Sequence, residues 1–252
     1  MMRGPTKLMA GWPKPVALAV LAGLCLQAHG GGFDPTVQPT TEQVVERMMQ
    51  VDRCVTPALR GYTSIRRYRL ENKRLGKTAE MTVRLTFRYP GHKEFQVLSE
   101  QGSAIIRKRV LRKLLESELE ASKDALREET QITPRNYSFR LVGTSEIEGR
   151  KSFVLEASPK TKNRYLFRGK VWVDADDFSI ARIEASPAQN PSIWIQKTSF
   201  VHQYHKFGPF WLPVSNRSET DAVIFGRTEV TIEYSDHLID QEPAGTAAAS
   251  CH

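Results

Sequence analysis

The chain has 252 residues, with 36 Lys plus Arg against 28 Asp plus Glu, a formal net charge of +8 and three cysteines. That length allows one large domain with a real core, and the absence of any CxxC or Cys/His cluster excludes the common structural zinc sites. The basic balance fits solvated Lys- and Arg-bearing strand faces, or for an exported chain anionic headgroups or acidic proteins. It does not point to nucleic acid, because the basic run from Arg107 to Lys113 has no interleaved aromatics.

Arg3, Lys7 and Lys14 precede an apolar run from Val16 to Leu26, and Ala28-His29-Gly30 follows. This order predicts a secretory signal peptide over residues 1–30, cut after Gly30, and so a periplasmic protein. The apolar run is shorter than the roughly 20 residues a membrane span needs. Leu24 before Cys25 disfavours an acylated anchor there. Cys54 and Cys251 remain as thiols in an oxidising compartment, where a disulfide is allowed and not demanded.

Residues 31–39 read as a flexible Gly- and Pro-containing linker. A single domain is expected over 40–240. Thr40 followed by Gln43 is a capping box, and Val44, Val45, Met48, Met49, Val51 and Val55 give the helix behind it one apolar stripe. From Tyr62 the period changes to two. Met81, Val83, Leu85, Phe87 and Tyr89 alternate with Glu80, Thr82, Arg84, Thr86 and Arg88, and Phe95 and Val97 continue the apolar face.

Between Gly102 and Ser122, Ile106, Val110, Leu111, Leu114, Leu115 and Leu119 form the stripe of an amphipathic helix. Alternation returns around Phe139, Phe153, Phe167, Val171, Ile224, Val230 and Tyr234, with Trp194, Phe200, Phe210 and Trp211 near strand ends. One wet face per strand predicts antiparallel pairing, and the short turns at Gly76, Gly91, Gly149, Asp174–Asp177 and Gly208 predict a meander. Residues 241–252 read as a disordered tail. The predicted class is therefore α+β, mainly antiparallel β.

Chemistry-bearing patterns are sparse. His202 and His205 lie three apart on a strand and should diverge, and Asp174, Asp176 and Asp177 read as an exposed hairpin turn rather than a metal site. No nucleophile elbow, glycine-rich phosphate loop or dinucleotide fingerprint occurs, so no enzyme activity and no cofactor are expected, and a periplasmic hydrolase is the least favoured alternative. The excess of apolar side chains on the later strands leaves two readings open, a solid core or a ligand cavity between sheet and helices.

The segment Gly149–Glu156, the run Lys162–Asp177 (KNRYLFRGKVWVDADD), Ile180–Glu184 and Gly208–Pro213 resemble outer-membrane lipoprotein-sorting proteins, the LolA-type carriers. The resemblance implies a strongly curved, incomplete β-barrel with two or three helices over its concave apolar face. It implies a cavity for the acyl chains of lipoproteins or lipids, lined by Met81, Val83, Leu85, Phe87, Tyr89, Phe95, Val97, Phe139, Phe167 and Val171, with Arg66 and Arg84 as candidates for a polar cavity residue. It also implies an inner-membrane export complex and an outer-membrane receptor as partners, and transient membrane contact. The same half-barrel would also suit an envelope-stress sensor or interaction scaffold.

Overall fold

The computed structural model describes residues 38–123, 128–190, 195–223 and 226–241. The predicted signal segment, most of the linker and tail, Trp194 and Ile224 lie outside them. From Pro39 the chain forms one compact unit. Its first helix, α1 (Thr41–Cys54), starts at the predicted capping box. Gln43 N donates to Thr40 Oγ1 at 3.3 Å and Thr40 N to Gln43 Oε1 at 2.9 Å, satisfying two amides that no helical carbonyl can reach. Val44, Val45 and Met48 are its buried stripe. Cys54, its last residue, is disulfide-bonded, and its partner lies outside the described residues.

Ten antiparallel strands follow: β1 (Leu59–Asn72), β2 (Lys77–Arg88), β3 (His92–Gly102), β4 (Tyr137–Ile147), β5 (Arg150–Pro159), β6 (Phe167–Asp174), β7 (Ile180–Pro187), β8 (Ile195–Phe207), β9 (Phe210–Ala222) and β10 (Gly226–Gln241). Between β3 and β4 lies α2, a continuous helical segment of Ala104–Ile106, a π-turn at Arg107–Leu111, and Arg112–Ala121. The sheet order is β3-β2-β1-β10-β9-β8-β7-β6-β5-β4. The result is a curved sheet that does not close, since β3 and β4 are its two edges.

This order corrects the single meander expected from the turns. Two meanders, β1–β3 and β4–β10, are joined by the pairing of β1 with β10, which sets Asn72 opposite Thr228. A consequence follows for α2. Because β3 and β4 are consecutive in sequence yet lie at opposite edges, the chain between them must cross the whole sheet, and α2 begins that crossing.

The register aligns one side-chain row across nine strands: Met81, Tyr68, Ile232, Asn216, His202, Ile183, Val171, Leu155 and Leu141. Residues directly opposite in neighbouring strands share a face. The row is therefore apolar at both ends with one polar step, Asn216 and His202, near its middle. The core divides accordingly. One cluster lies under α1 on β4–β8, including Val44, Met48, Leu155, Val171 and Ile183. A second lies under α2 on β1, β2 and β10, including Tyr68, Met81, Val83, Leu111 and Leu115. A third, smaller cluster joins Leu59, Tyr62, Leu85, Phe210 and Leu212.

Candidate functional site

An apolar cleft of about 310 Å³ opens where the first and third clusters fail to merge. Met48, Met49 and Ile132 with Phe178, Ile180 and Tyr204 belong to the first cluster's side, while Val55, Leu59 and Phe210 belong to the third. The polar rim includes Asp52, Thr56, Gln131 and Thr133. Its volume is near the lower end of the range for small-ligand sites, and its lining has their usual character, mostly apolar with a few polar groups.

One wall of the cleft is held by a buried carboxylate. Asp174 is fully buried, accepts from Arg150 Nε at 2.6 Å and Nη2 at 2.8 Å, and accepts the turn amides of Asp176 and Asp177 at 3.0 and 3.1 Å. Asp177 in turn accepts the Trp211 indole N–H at 3.1 Å and pairs with Lys206 at 2.6 Å. The β6–β7 turn and the β8–β9 hairpin are thus tied together beside Phe178 and Phe210. Burial alone would raise the Asp174 pKa, but the Arg150 hydrogen bond and the two amides outweigh it and hold the carboxyl below its ordinary value. The expected exposed turn at Asp174 is corrected here: the carboxylate is the turn's internal anchor.

A second polar group in the concave floor, outside the row that holds Asn216 and His202, is built around Arg66. Its side chain is 3% exposed, its Nη1 lies 2.8 Å from Glu118 Oε2 of α2, and its guanidinium sits 4.8 Å from the Tyr234 ring centroid and 5.3 Å from that of Phe95. Lys93 reaches the other Glu118 oxygen at 2.7 Å. Desolvation would raise the Glu118 pKa, yet Lys93 and Arg66 prevail and pull it down to about 2. For Arg66 burial would lower the pKa, and Glu118, then Tyr234 and Tyr68, raise it.

Farther along, α2 is clamped again. Glu100 of β3 receives Arg107 at 3.3 Å and Arg112 at 2.9 Å, while Glu120 receives Arg164 at 3.1 Å and the Tyr165 hydroxyl at 2.7 Å. Arg164 and Tyr165 belong to the β5–β6 connection. The helix is therefore strapped over the concave face by carboxylates as well as by its apolar stripe. Its entry depends on Gly102, whose φ of +78° and close approach to the Thr78 carbonyl leave no room for a Cβ.

His202 contributes half of the polar step in that row. Its Nε2 lies 2.7 Å from Asn216 Nδ2, so the ring nitrogen accepts and the imidazole is neutral. Burial first, opposed by Glu118 and aided by Arg66, pushes its pKa down to about 4. Between about pH 6.5 and pH 4 the unfolded chain binds a proton that the folded chain does not, so stability is present above that window and falls as pH drops through it. We expect a loss on the order of 3 kcal/mol from this group. His202→Gln should flatten that part of the profile, measured as urea midpoints at several pH values. An unchanged slope in the variant would remove His202 as the cause.

The predicted site residues divide by place. Met81 and Val83 are buried under α2, Leu85 lies in the third cluster, and Phe167 and Val171 lie under α1. Phe87, Phe95 and Phe139 are partly buried against these clusters. Tyr89 and Val97 are exposed, at 42% and 40%. None of the ten lines the 310 Å³ cleft. Arg66 does enter the concave floor. Arg84 does not, which corrects it as a cavity candidate: it alternates with buried Val83 and Leu85, so it faces outward and donates to Gln96 at 3.2 Å.

His202 is half-buried, while His205 diverges from it and pairs with Glu148 at 2.5 Å. Among the described residues no group of three His, Cys, Asp or Glu side chains is placed to hold a metal ion, and no helix is long and apolar enough to cross a membrane. Sequence reasoning missed the cleft residues on the β6–β7 turn and the Glu118 anchor. The only signal for Glu118 was a carboxylate three residues after Leu115 in an otherwise apolar stripe.

No family model matches the chain, and no curated protein matches it. Among solved structures the chain is similar to a DUF1329 family protein from Desulfovibrio piger, at 10% identity, TM-score 0.42, and coverage of 85% of this chain and 98% of that one. It is similar to a putative outer membrane lipoprotein-sorting protein domain from Vibrio parahaemolyticus, at 12% identity, TM-score 0.41, and coverage of 82% and 94%. It is also similar to a LolA superfamily protein from Nitrosomonas europaea, at 12% identity, TM-score 0.36, and coverage of 82% and 96%.

Proposed function

We propose that the protein is a periplasmic carrier that takes part of an acyl chain of a lipid or lipoprotein into the cleft between α1 and the β8–β9 hairpin and releases it toward the outer membrane. The observation that carries this reading is the unfilled apolar cleft of about 310 Å³ at the seam of two core clusters. A chain segment of about seven methylenes buried there contributes roughly 6 kcal/mol, enough for capture and little enough for release. The strap α2, clamped by ion pairs, is the element whose displacement would widen the concave face.

The test is mass spectrometry of gently purified protein, paired with binding of a fluorescent fatty acid. The wild-type chain is expected to retain an acyl lipid. Met49→Glu places a carboxylate on the cleft wall and should weaken fatty-acid binding at least tenfold, because the charge loses its water whenever the chain enters. Met49 is partly buried at the cleft's edge, so the variant's melting temperature should change little. Arg84→Glu, on the outer face, should bind as wild type does. A co-purifying peptide in place of lipid would replace the carrier with an interaction scaffold of the same fold.

A further inference from the structure

We propose that the end of the sheet where β1, β3 and β9 finish and α2 begins docks onto a bilayer surface containing anionic phospholipid. This surface is separate from the cleft, and its argument does not depend on what the cleft binds. Three apolar side chains stand out from three different elements there. Leu75 tips the β1–β2 hairpin at 47% exposure, Val223 follows β9 at 50%, and Ile105 opens α2 at 62%.

Strand pairing puts them on one rim. Asn72 is opposite both Lys77 and Thr228, Ala79 is opposite Gly102, and Ala222 is opposite Gly226. Arg74 Nη1 donates to the Val223 carbonyl at 3.4 Å, and Ser103 N donates to the Thr78 carbonyl at 3.0 Å. These bonds tie the two hairpin ends together and fix the start of α2 beside β2.

The charges at this rim are unevenly neutralised. Lys73 pairs with Glu229 at 3.0 Å, and Arg227 pairs with Glu219 and Asp221. Among the described residues no carboxylate pairs with Arg74, Lys77, Lys108 or Arg109, and all four are exposed. The order of charge along α2 sharpens the point. Arg107, Lys108, Arg109, Arg112 and Lys113 come first along it, and Glu116, Glu118 and Glu120 follow. A helix is stabilised by the opposite order, acids first and bases last, and the acids Glu118 and Glu120 in its last turn work against the helix dipole.

Glu100 compensates Arg107 and Arg112. Lys108 and Arg109 are left facing outward on the side that carries Ile105. Separate convex apolar tips flanked by unpaired cations match an anionic interface, in which side chains enter the headgroup–acyl boundary and bases meet phosphates.

Co-sedimentation of the full chain with vesicles of phosphatidylglycerol mixed into phosphatidylcholine, against phosphatidylcholine alone, tests this. Binding should be at least about tenfold stronger to the anionic vesicles and should weaken as salt rises. Lys108→Glu with Arg109→Glu should reduce it about tenfold or more. Leu75→Ser with Ile105→Ser, a second variant made only at exposed positions, should reduce it while leaving the circular dichroism melt unchanged. Equal binding to both vesicle types, or unchanged binding by both variants, would overturn the proposal. Binding of polyglutamate as tightly as of the anionic vesicles would also overturn it, since the rim would then be a docking site for acidic protein.

Discussion

Glu118→Ala is expected to lower the free energy of unfolding by about 3 kcal/mol. The cause is the cation left behind. Arg66 is 3% exposed, so without Glu118 its charge is left with the Tyr62 and Tyr68 hydroxyls and the rings of Phe95 and Tyr234 for company. Lys93, at 24% exposure, can turn to water, and Arg66 cannot. We place the loss at the low end of the usual range for breaking a buried pair because Glu118 keeps 29% exposure.

Urea unfolding at neutral pH measures it. Arg66→Met combined with Glu118→Leu should recover most of the loss, because apolar replacement removes the uncompensated charge. A double variant no better than the single one would mean that the effect is lost helix packing and not electrostatics. The same pair has an acid signature. With its pKa held at about 2 against an ordinary 4.5, Glu118 contributes stability that is present above pH 4.5 and is lost as pH falls toward 2. Below the window assigned to His202, a second decline should therefore appear in the wild type and be absent in Glu118→Ala. Faster amide exchange over Arg112–Ala121 in the variant would identify α2 as the element released.

Asp174→Ala is expected to cost a comparable amount, about 3 kcal/mol. It removes the acceptor for both Arg150 nitrogens and for two turn amides at once. Arg150 is 35% exposed and can be hydrated, whereas the amides of Asp176 and Asp177 are inside the turn. Asp174→Asn should recover part of the loss, since one oxygen can still accept from the amides while the carboxamide N–H₂ meets the Arg150 donors. The damage should spread, because Asp177 of that turn holds the Trp211 indole at the cleft wall. We therefore expect an altered tryptophan emission and weaker fatty-acid binding together with the drop in the urea midpoint. A stability change below about 0.5 kcal/mol, ordinary for an exposed turn, would contradict the burial of this carboxylate.

Most of the secondary structure is legible in the chain, and the reason is local. The capping box at Thr40 and Gln43 acts within four residues, the alternation from Met81 to Tyr89 follows from a side-chain period of two, and hairpins such as Phe207–Phe210 need only their own turn. The resemblance of the Lys162–Asp177 and Ile180–Glu184 segments to lipoprotein-sorting proteins likewise rests on one hairpin, and β6 and β7 do form it.

What alternation cannot say is which buried face meets which. Val83 and Phe178 are both apolar, yet one lies in a solid core and the other lines a cleft, because the distinction depends on whether two clusters close against each other. Nor does it separate Arg66 from Arg84. Arg84 is excluded once its neighbours Val83 and Leu85 are known to point inward, but Arg66 becomes a floor residue only because Tyr234 of β10 lies opposite it and Glu118 of α2 comes down over it.

The strands, the helices, their apolar faces and the α+β class thus follow from interactions spanning a few residues. The joining of β1 to β10, the split core with its cleft, and the burial of Arg66, Asp174 and His202 emerge only once the chain is folded. The join of β1 to β10 depends on pairings more than 100 residues apart, the buried side chains on Glu118 for Arg66, Arg150 for Asp174 and Asn216 for His202, and the cleft on how much of each apolar face its neighbour covers; a residue's own neighbours in sequence carry no record of these.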